Sequence, residues 1–407
     1  MKTKRHVLAA LCGLSLLLLQ CEHRLAAPDN RIFRELTPLE KQLVTSDNRF
    51  GLQLFREVVR QEPDGNIFLS PLSVAMALGM ALNGAGGETF EAMKNTLALD
   101  GLSLEEINQS CQSLIALLMQ LDPQVQFQIA NSIWHRQEMT FAQDFIHRNK
   151  TYFNARVSGV DFNAPATLDL INAWVRENTH GRISQIVEKI RPEEVMFLIN
   201  AIYFKGAWTY RFDPANTQAD WFTTGNGEKR ACRMMNHYKI VLPHLRTDLF
   251  QAVDLPYGDA GFRMTILLPH PGVPVASLCA ALTAENWARW QAGFTPRELM
   301  LALPKFSMTC EMSLNEVLQQ LGMAIAFNEH ADFSRISATE RLYITEVKHK
   351  TFVEVDENGT TAAAATSVGI GVVSAPPAFR VDRPFLFLIR DRHSQTILFI
   401  GKIEYPQ

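Results

Sequence analysis

The sequence predicts a single large α+β domain, on three observations. Helical periodicities cluster in the first half and strand-like runs in the second. No Ser/Gly tract, charge block or internal repeat divides the chain after residue 48. Of 407 residues, 47% are hydrophobic, enough to bury one sizeable core, and the formal net charge of −3 carries no bulk signature of nucleic-acid binding.

At the N-terminus, Lys2, Lys4 and Arg5 precede the apolar run Val7 to Leu19, which reads as an export signal over residues 1–21. Leu18-Leu19-Gln20-Cys21 is similar to a bacterial lipoprotein cleavage box that would acylate Cys21, although Gln20 stands where a small residue is expected. Ordinary cleavage near Ala26-Ala27 is the other reading. Either way the mature protein is expected outside the cytoplasm, secreted or in the cell envelope, and with a lipid on Cys21 anchored at the outer membrane or cell surface. Residues 22–47 would form a leader or tether, with the domain running from 48 to 407.

Phe50, Leu54, Phe55 and Val58 recur at helical spacing. Ser70-Pro71 then starts a helix whose Val74, Ala75, Leu78 and Ala81 want burial, and Gly84 to Gly87 ends it. Gln126 to Trp134 and Val195 to Phe204 read as strands, the second so continuously apolar that both faces must be covered. Ile171 to Val175 opens a further helix that stops near Gly181. Thr351 to Val355 is a strand, and Pro384 to Ile389 and Thr396 to Ile403 form a hairpin about a polar turn at Asp391 to Gln395.

The chemistry-bearing motifs of enzymes are missing from the sequence: it has no Gly-x-Ser-x-Gly, Ser-x-x-Lys, His-Glu-x-x-His or Walker loop. Cys111, Cys232, Cys279 and Cys310 are scattered without metal spacing and read as buried thiols; no metal and no cofactor is expected. The informative stretch lies between Asp356 and Ser374. From Thr360 onward it is long, uncharged and made of small residues, a length that inside a compact domain is functional or disordered. Ala362 to Ala365 favours helix, but Gly359, Gly369 and Gly371 oppose it, and small and β-branched side chains suit entry into a sheet as an extra strand.

This segment, with Asn66-Ile67-Phe68-Leu69-Ser70-Pro71-Leu72-Ser73 and Asn200-Ala201-Ile202-Tyr203-Phe204-Lys205-Gly206-Ala207-Trp208, resembles the hinge, buried second helix and sheet-breach strand of the serpins, and the resemblance extends from about Asn48 to Gln407. It implies three β-sheets, about nine helices and an exposed reactive-centre loop. It also implies a suicide inhibitor, monomeric, whose partner is a serine protease held as a covalent acyl-enzyme. The family's spacing, counted back from Pro384-Phe385 and forward from Glu357-x-Gly359-Thr360, puts the scissile bond at Val373-Ser374, with Val372 and Ile370 as alternative cleavage points.

The resemblance further assigns a hinge at Glu357, Gly359, Thr360, Thr361, Ala362, Ala363, Ala364 and Ala365, where no charge or ring after Gly359 would impede insertion. Thr361 stands where many relatives carry Glu. A polar cluster under the sheet, the shutter, would comprise Ser70, Ser73, Asn200 and His349. A breach would comprise Trp208, Lys305 and Glu357. Val373 favours elastase-like proteases, with subtilisin-like enzymes second. Residues 91–120 hold one Lys and no Arg, so no glycosaminoglycan partner is expected. Asn108, Asn149 and Asn358 begin glycosylation triplets; a glycan on Asn358 would hinder insertion, which points to a prokaryotic source. A non-inhibitory carrier or chaperone on the same fold, and a secreted hydrolase, are the competing readings.

Overall fold

The computed structural model describes residues 33–359 and 376–406. The expected reactive bond Val373-Ser374, its alternatives Val372 and Ile370, the hinge residues Thr360 to Ala365, and Cys21 all lie outside the described residues.

The folded unit starts earlier than Asn48. Helix α1 (Pro38–Gln61) is entered through a capping box: Thr37 accepts from the Glu40 amide and the Glu40 side chain accepts from the Thr37 amide. Arg34 and Ser113 also hold that carboxylate, and Leu43 and Val44 are buried, so residues 33–47 are not a tether. Nine α-helical segments occur among the described residues: α1, α2 (Pro71–Leu82), α3 (Gly87–Thr96), α4 (Leu104–Gln120), α5 (Gln143–Phe153), α6 (Pro165–Asn178), α7 (Val275–Ala281), α8 (Ala284–Gln291) and α9 (Asn315–Leu318). Helix α6 starts at Pro165 rather than Ile171, because proline at the first helical position costs no hydrogen bond. Ile171, Trp174 and Val175 form its buried middle.

Three sheets carry the strands. The largest runs in the order β1 (Ile67–Leu69), β14 (Ile397–Ile403), β13 (Phe385–Asp391), β8 (Phe262–Pro269), β7 (Phe250–Tyr257), β6 (Lys229–Arg246), β9 (Thr295–Pro304), β12 (Ala378–Arg380), with β5 (Gln218–Thr223) also on β6. A second sheet orders β3 (Arg156–Val160), β2 (Val125–Arg136) and β4 (Met196–Gly206), and a third pairs β10 (Phe306–Ser313) with β11 (Lys348–Val355). Both faces of β4 are covered, as its apolar run requires: Ile199 and Ala201 cluster with Trp134 and the α6 residues, while Ile202 and Phe204 pack on the main core.

The C-terminal hairpin anchors that core. Strands β13 and β14 pair antiparallel from Phe385↔Ile403 onward, and the buried Asp391 carboxylate accepts from the Ser394 and Thr396 amides to close the turn. Phe68 stacks on Phe399 and Phe387 with centroids 5.2 and 5.6 Å away. The Phe387 ring fits only because position 401 lacks a side chain: a Cβ there would stand 2.2 Å from Phe387 Cε1.

Two of the three glycosylation triplets are closed by this packing. Asn108 and Asn149 are fully buried; the Asn83 amide group donates to Oδ1 of each, and Asn108 returns a bond of 2.8 Å to Asn83. Side chains so placed join α4 and α5 to the end of α2 and are out of reach of a transferase. Cys111 and Cys279 are buried and Cys232 and Cys310 half-buried, all as free thiols. Burial pushes the Cys279 thiol up to about 12, so it is inert at neutral pH. Among the described residues no helix is long and apolar enough to cross a membrane.

Gly401→Ala is expected to cost about 1–3 kcal/mol through overpacking, read as a fall in the urea midpoint, and Phe387→Leu should recover part of the loss in the double variant. Equal losses with and without Phe387→Leu would show that the ring is not the obstacle.

Candidate functional site

Strands β4 and β11 run parallel with their edges facing, yet no ladder joins them among the described residues. They are connected at one end, where Gly359 bridges both Asp356, just past β11, and Ala207, just past β4. Counted down the two strands from there, Tyr203 comes opposite Phe352 and Asn200 opposite His349. Further down, the separation opens into a cavity of about 310 Å³ floored by Val74, Ala77 and Leu78 of α2.

The closed end is the expected breach. Burial opposes ionisation of Glu357, but hydrogen bonds from Lys305, its own backbone amide and Thr217 outweigh it and hold the carboxyl below its usual range. Lys305 Nζ lies 2.7 Å from Oε2, and Thr217 Oγ1 donates to Oε1 at 2.8 Å. Trp208 stacks on Tyr257 at 4.4 Å; its indole donates to Asp356 O and its amide to Asn358 O. Gly359 sits at φ +128°, and a Cβ there would meet Gly206 O at 2.2 Å, so only glycine can make this approach. Thr217 and Tyr257 escaped the sequence reading, since nothing in their local pattern marks a partner so distant along the chain.

The expected shutter is divided between two networks. Ser70 caps α2 by accepting from the Ser73 amide, donates through Oγ to Leu398 O at 2.7 Å, and donates through its backbone N–H to His349 Nε2 at 3.0 Å. Ser73 is buried and lines the cavity. Asn200 does not bond Ser70 or His349: its amide group donates to Asn131 Oδ1 at 2.8 Å, and Asn131 donates to Phe153 O. That leaves Asn200 Oδ1 buried with no partner among the described residues. Because His349 Nε2 accepts a backbone N–H, the ring is neutral with its proton on Nδ1. Complete burial lowers its pKa to about 4.

The fold recurs in known proteins. Residues 45–406 match the family described as Serpin (serine protease inhibitor). Human Serpin B11 is 33% identical, over 89% of this chain and 99% of its own length. Rat glia-derived nexin is 30% identical, over 92% of this chain and 96% of its own. Among solved structures, the native thermophilic serpin tengpin superposes with a TM-score of 0.82 at 30% identity, covering 92% of this chain and 96% of that one. Human thyroxine-binding globulin, solved with its ligand, gives 0.83 at 27%, covering 91% of this chain and 100% of its own. The chain belongs to the serpin family, which is in general a family of protease inhibitors rather than enzymes, forming complexes with target proteases.

His349 makes stability pH-dependent. An unfolded histidine titrates near 6.5, so between pH 6.5 and 4 the unfolded chain binds the extra proton and stability falls with pH. The loss from pH 7 to 4.5 is on the order of 2–3 kcal/mol. In His349→Gln that component should disappear, leaving urea midpoints at the two pH values closer together than in the parent; equal gaps would mean that His349 is not the titrating group.

Proposed function

We propose that this serpin is a suicide-substrate inhibitor of an elastase-like serine protease, cleaved at Val373-Ser374. The observation that carries the reading is the unpaired slot between β4 and β11, already bridged at one end by Gly359, where the reactive segment begins. A strand continuing from Gly359 in the register of its two bridges would pass between the strands and bring Thr366 to the level of Asn200 and His349 alike. Asn200 Oδ1, buried without a partner among the described residues, offers an acceptor there. The hinge from Thr360 to Ala365 carries no charge or ring that would obstruct the passage.

The chemistry belongs to the protease. Its serine attacks the Val373 carbonyl, the Ser374 amine departs, and an acyl-enzyme forms. The freed strand, Thr360 to Val373, extends roughly 45 Å at about 3.3 Å per residue, so insertion carries the tethered protease the length of the slot. Ladder bonds to β4 and β11, each worth about 0.5–1.5 kcal/mol net, supply on the order of 10 kcal/mol, against an active site in which a displacement of about 1 Å already costs two orders of magnitude in rate. Deacylation is outrun. We place the mature chain outside the cytoplasm on the strength of its N-terminal run, with acylation at Cys21 as one route to anchoring.

The likeness to thyroxine-binding globulin supports a second reading, a carrier on the same fold. Incubation with an elastase-like protease should yield a complex stable in denaturant and a peptide running from Ser374 to Gln407 by mass spectrometry. Thr360→Arg should abolish the complex while leaving cleavage intact. Clean cleavage with the protease still active, and no gain in melting temperature on cleavage, would favour the carrier.

A further inference from the structure

We infer that the face of β5 and β6 around Trp221 is a docking surface for the target protease, and that it selects a protease with carboxylates on the rim beside its cleft; this rests on the inhibitor reading above. Trp221 is 59% exposed, more than any other large apolar side chain among the described residues. Register explains the exposure. Strand β5 pairs with β6 alone, and the residue opposite Trp221 is Ala231, too small to cover an indole. The diagonal neighbours on that face are Lys229, opposite Thr223, and Arg233, opposite Ala219. Both cations are exposed, and among the described residues neither has an ion pair; Arg233 donates to Thr217 O at 3.1 Å. The nearby acids are engaged elsewhere. Asp220, on the opposite face by strand alternation, pairs with Arg380; Asp382 pairs with Arg380 and Arg383, and Glu228 with Arg230. One exposed apolar residue needs no explanation. A tryptophan set between two free cations does, because Trp and Arg are the side chains that carry binding energy at interfaces.

The place of this face in the fold identifies the partner. The Asp220 carboxylate meets the Arg380 guanidinium, and the Thr223 amide donates to Asp382 O at 2.8 Å, so the strand that carries Trp221 lies against the chain leaving the reactive bond. Arg380 is six residues beyond Ser374. At about 3.3 Å per residue that is at most roughly 20 Å of extended chain. A protease domain of about 200 residues has a radius of gyration of about 16 Å, so its body is wider than this tether is long and overhangs β5 when Val373 occupies its pocket. The two contacts read different things. Val373 selects the pocket, Lys229 and Arg233 select the charge of the surrounding rim through the rate of encounter, and Trp221 supplies apolar contact area. None of these three touches a reacting atom; they act on specificity alone.

The probes are two serine proteases that cleave after small aliphatic residues, one acidic and one basic around the cleft. The readout is the second-order rate of covalent complex formation with the full-length protein at low and high salt. The parent should trap the acidic protease faster, by a margin that shrinks as salt rises. Lys229→Glu combined with Arg233→Glu should reverse the order, slowing the acidic protease and speeding the basic one on the order of tenfold each, while the number of inhibitor molecules consumed per protease trapped stays the same. Trp221→Ala should slow both on the order of fivefold at every salt concentration. If Trp221→Ala folds poorly, the charge-reversed variant keeps the indole and still tests the face. Parent rates in both variants would overturn the docking surface and leave inhibition standing. So would unmoved rates in variants that no longer bind vesicles of phosphatidylglycerol and phosphatidylcholine to which the parent binds, a result that would give the face to a membrane. A parent that traps neither protease would overturn the inhibitor reading and the surface with it.

Discussion

Everything in this molecule is arranged around two strand edges that face each other without pairing. Backbone N–H and C=O groups in the middle of a fold are nearly always paired, because an unmade hydrogen bond there costs as much as a lost one. Strands β4 and β11 run parallel at the same level, flanked on their outer edges by β2 and β10, and among the described residues no ladder joins them. On the insertion reading, such an arrangement is downhill toward any strand that can enter, and the remaining contacts decide when entry happens.

Those contacts sit at three levels of the slot. At the top, Glu357 with Lys305 and Thr217 fixes the pivot, and the glycine-only approach at Gly359 presents the following chain to both edges. In the middle, the turn after α6 touches β4 and β11 from outside. Under the sheet, Ser70 ties α2, β14 and β11 through its hydroxyl and amide. At each level the contacts are a few directional bonds that are individually weak, so on the insertion reading a barrier built from them stays small enough for cleavage of one loop to surmount.

Much of this was legible in the sequence, and the reasons it was legible are local. Hydrophobic runs at 196–206 and 397–403 have no polar alternation because both faces are covered, and Ser70-Pro71 and Glu357-x-Gly359 are short motifs whose backbone demands are visible in the residues themselves. The start of α1 is equally local, written in Thr37-x-x-Glu40, but no long apolar run beside it draws the eye. The rest was not local. Asn108 and Asn149 read as surface acceptors from their triplets, yet Asn83, far earlier in the chain, takes them both inside. Asn200 and His349 face one another across the slot without touching, because Asn131 on the neighbouring strand offers Asn200 a nearer acceptor.

The division of the shutter has a physical consequence. If Asn200 and His349 bonded directly, the two strands would be latched by a buried pair whose rupture would leave both groups desolvated and unpaired, a large barrier to insertion. As arranged, His349 spends Nε2 on the Ser70 amide, and Asn200 keeps one amide hydrogen on Asn131 while its Oδ1 has no partner among the described residues. Opening the slot therefore breaks no bond between these two residues. A strand arriving with a donor at their level removes a defect that the present state carries. Burial likewise keeps His349 neutral down to about pH 4, so the site presents the Asn200 acceptor and no positive charge to an incoming backbone. On the insertion reading, the polar cluster under the sheet is thus better suited to receiving a strand than to excluding one.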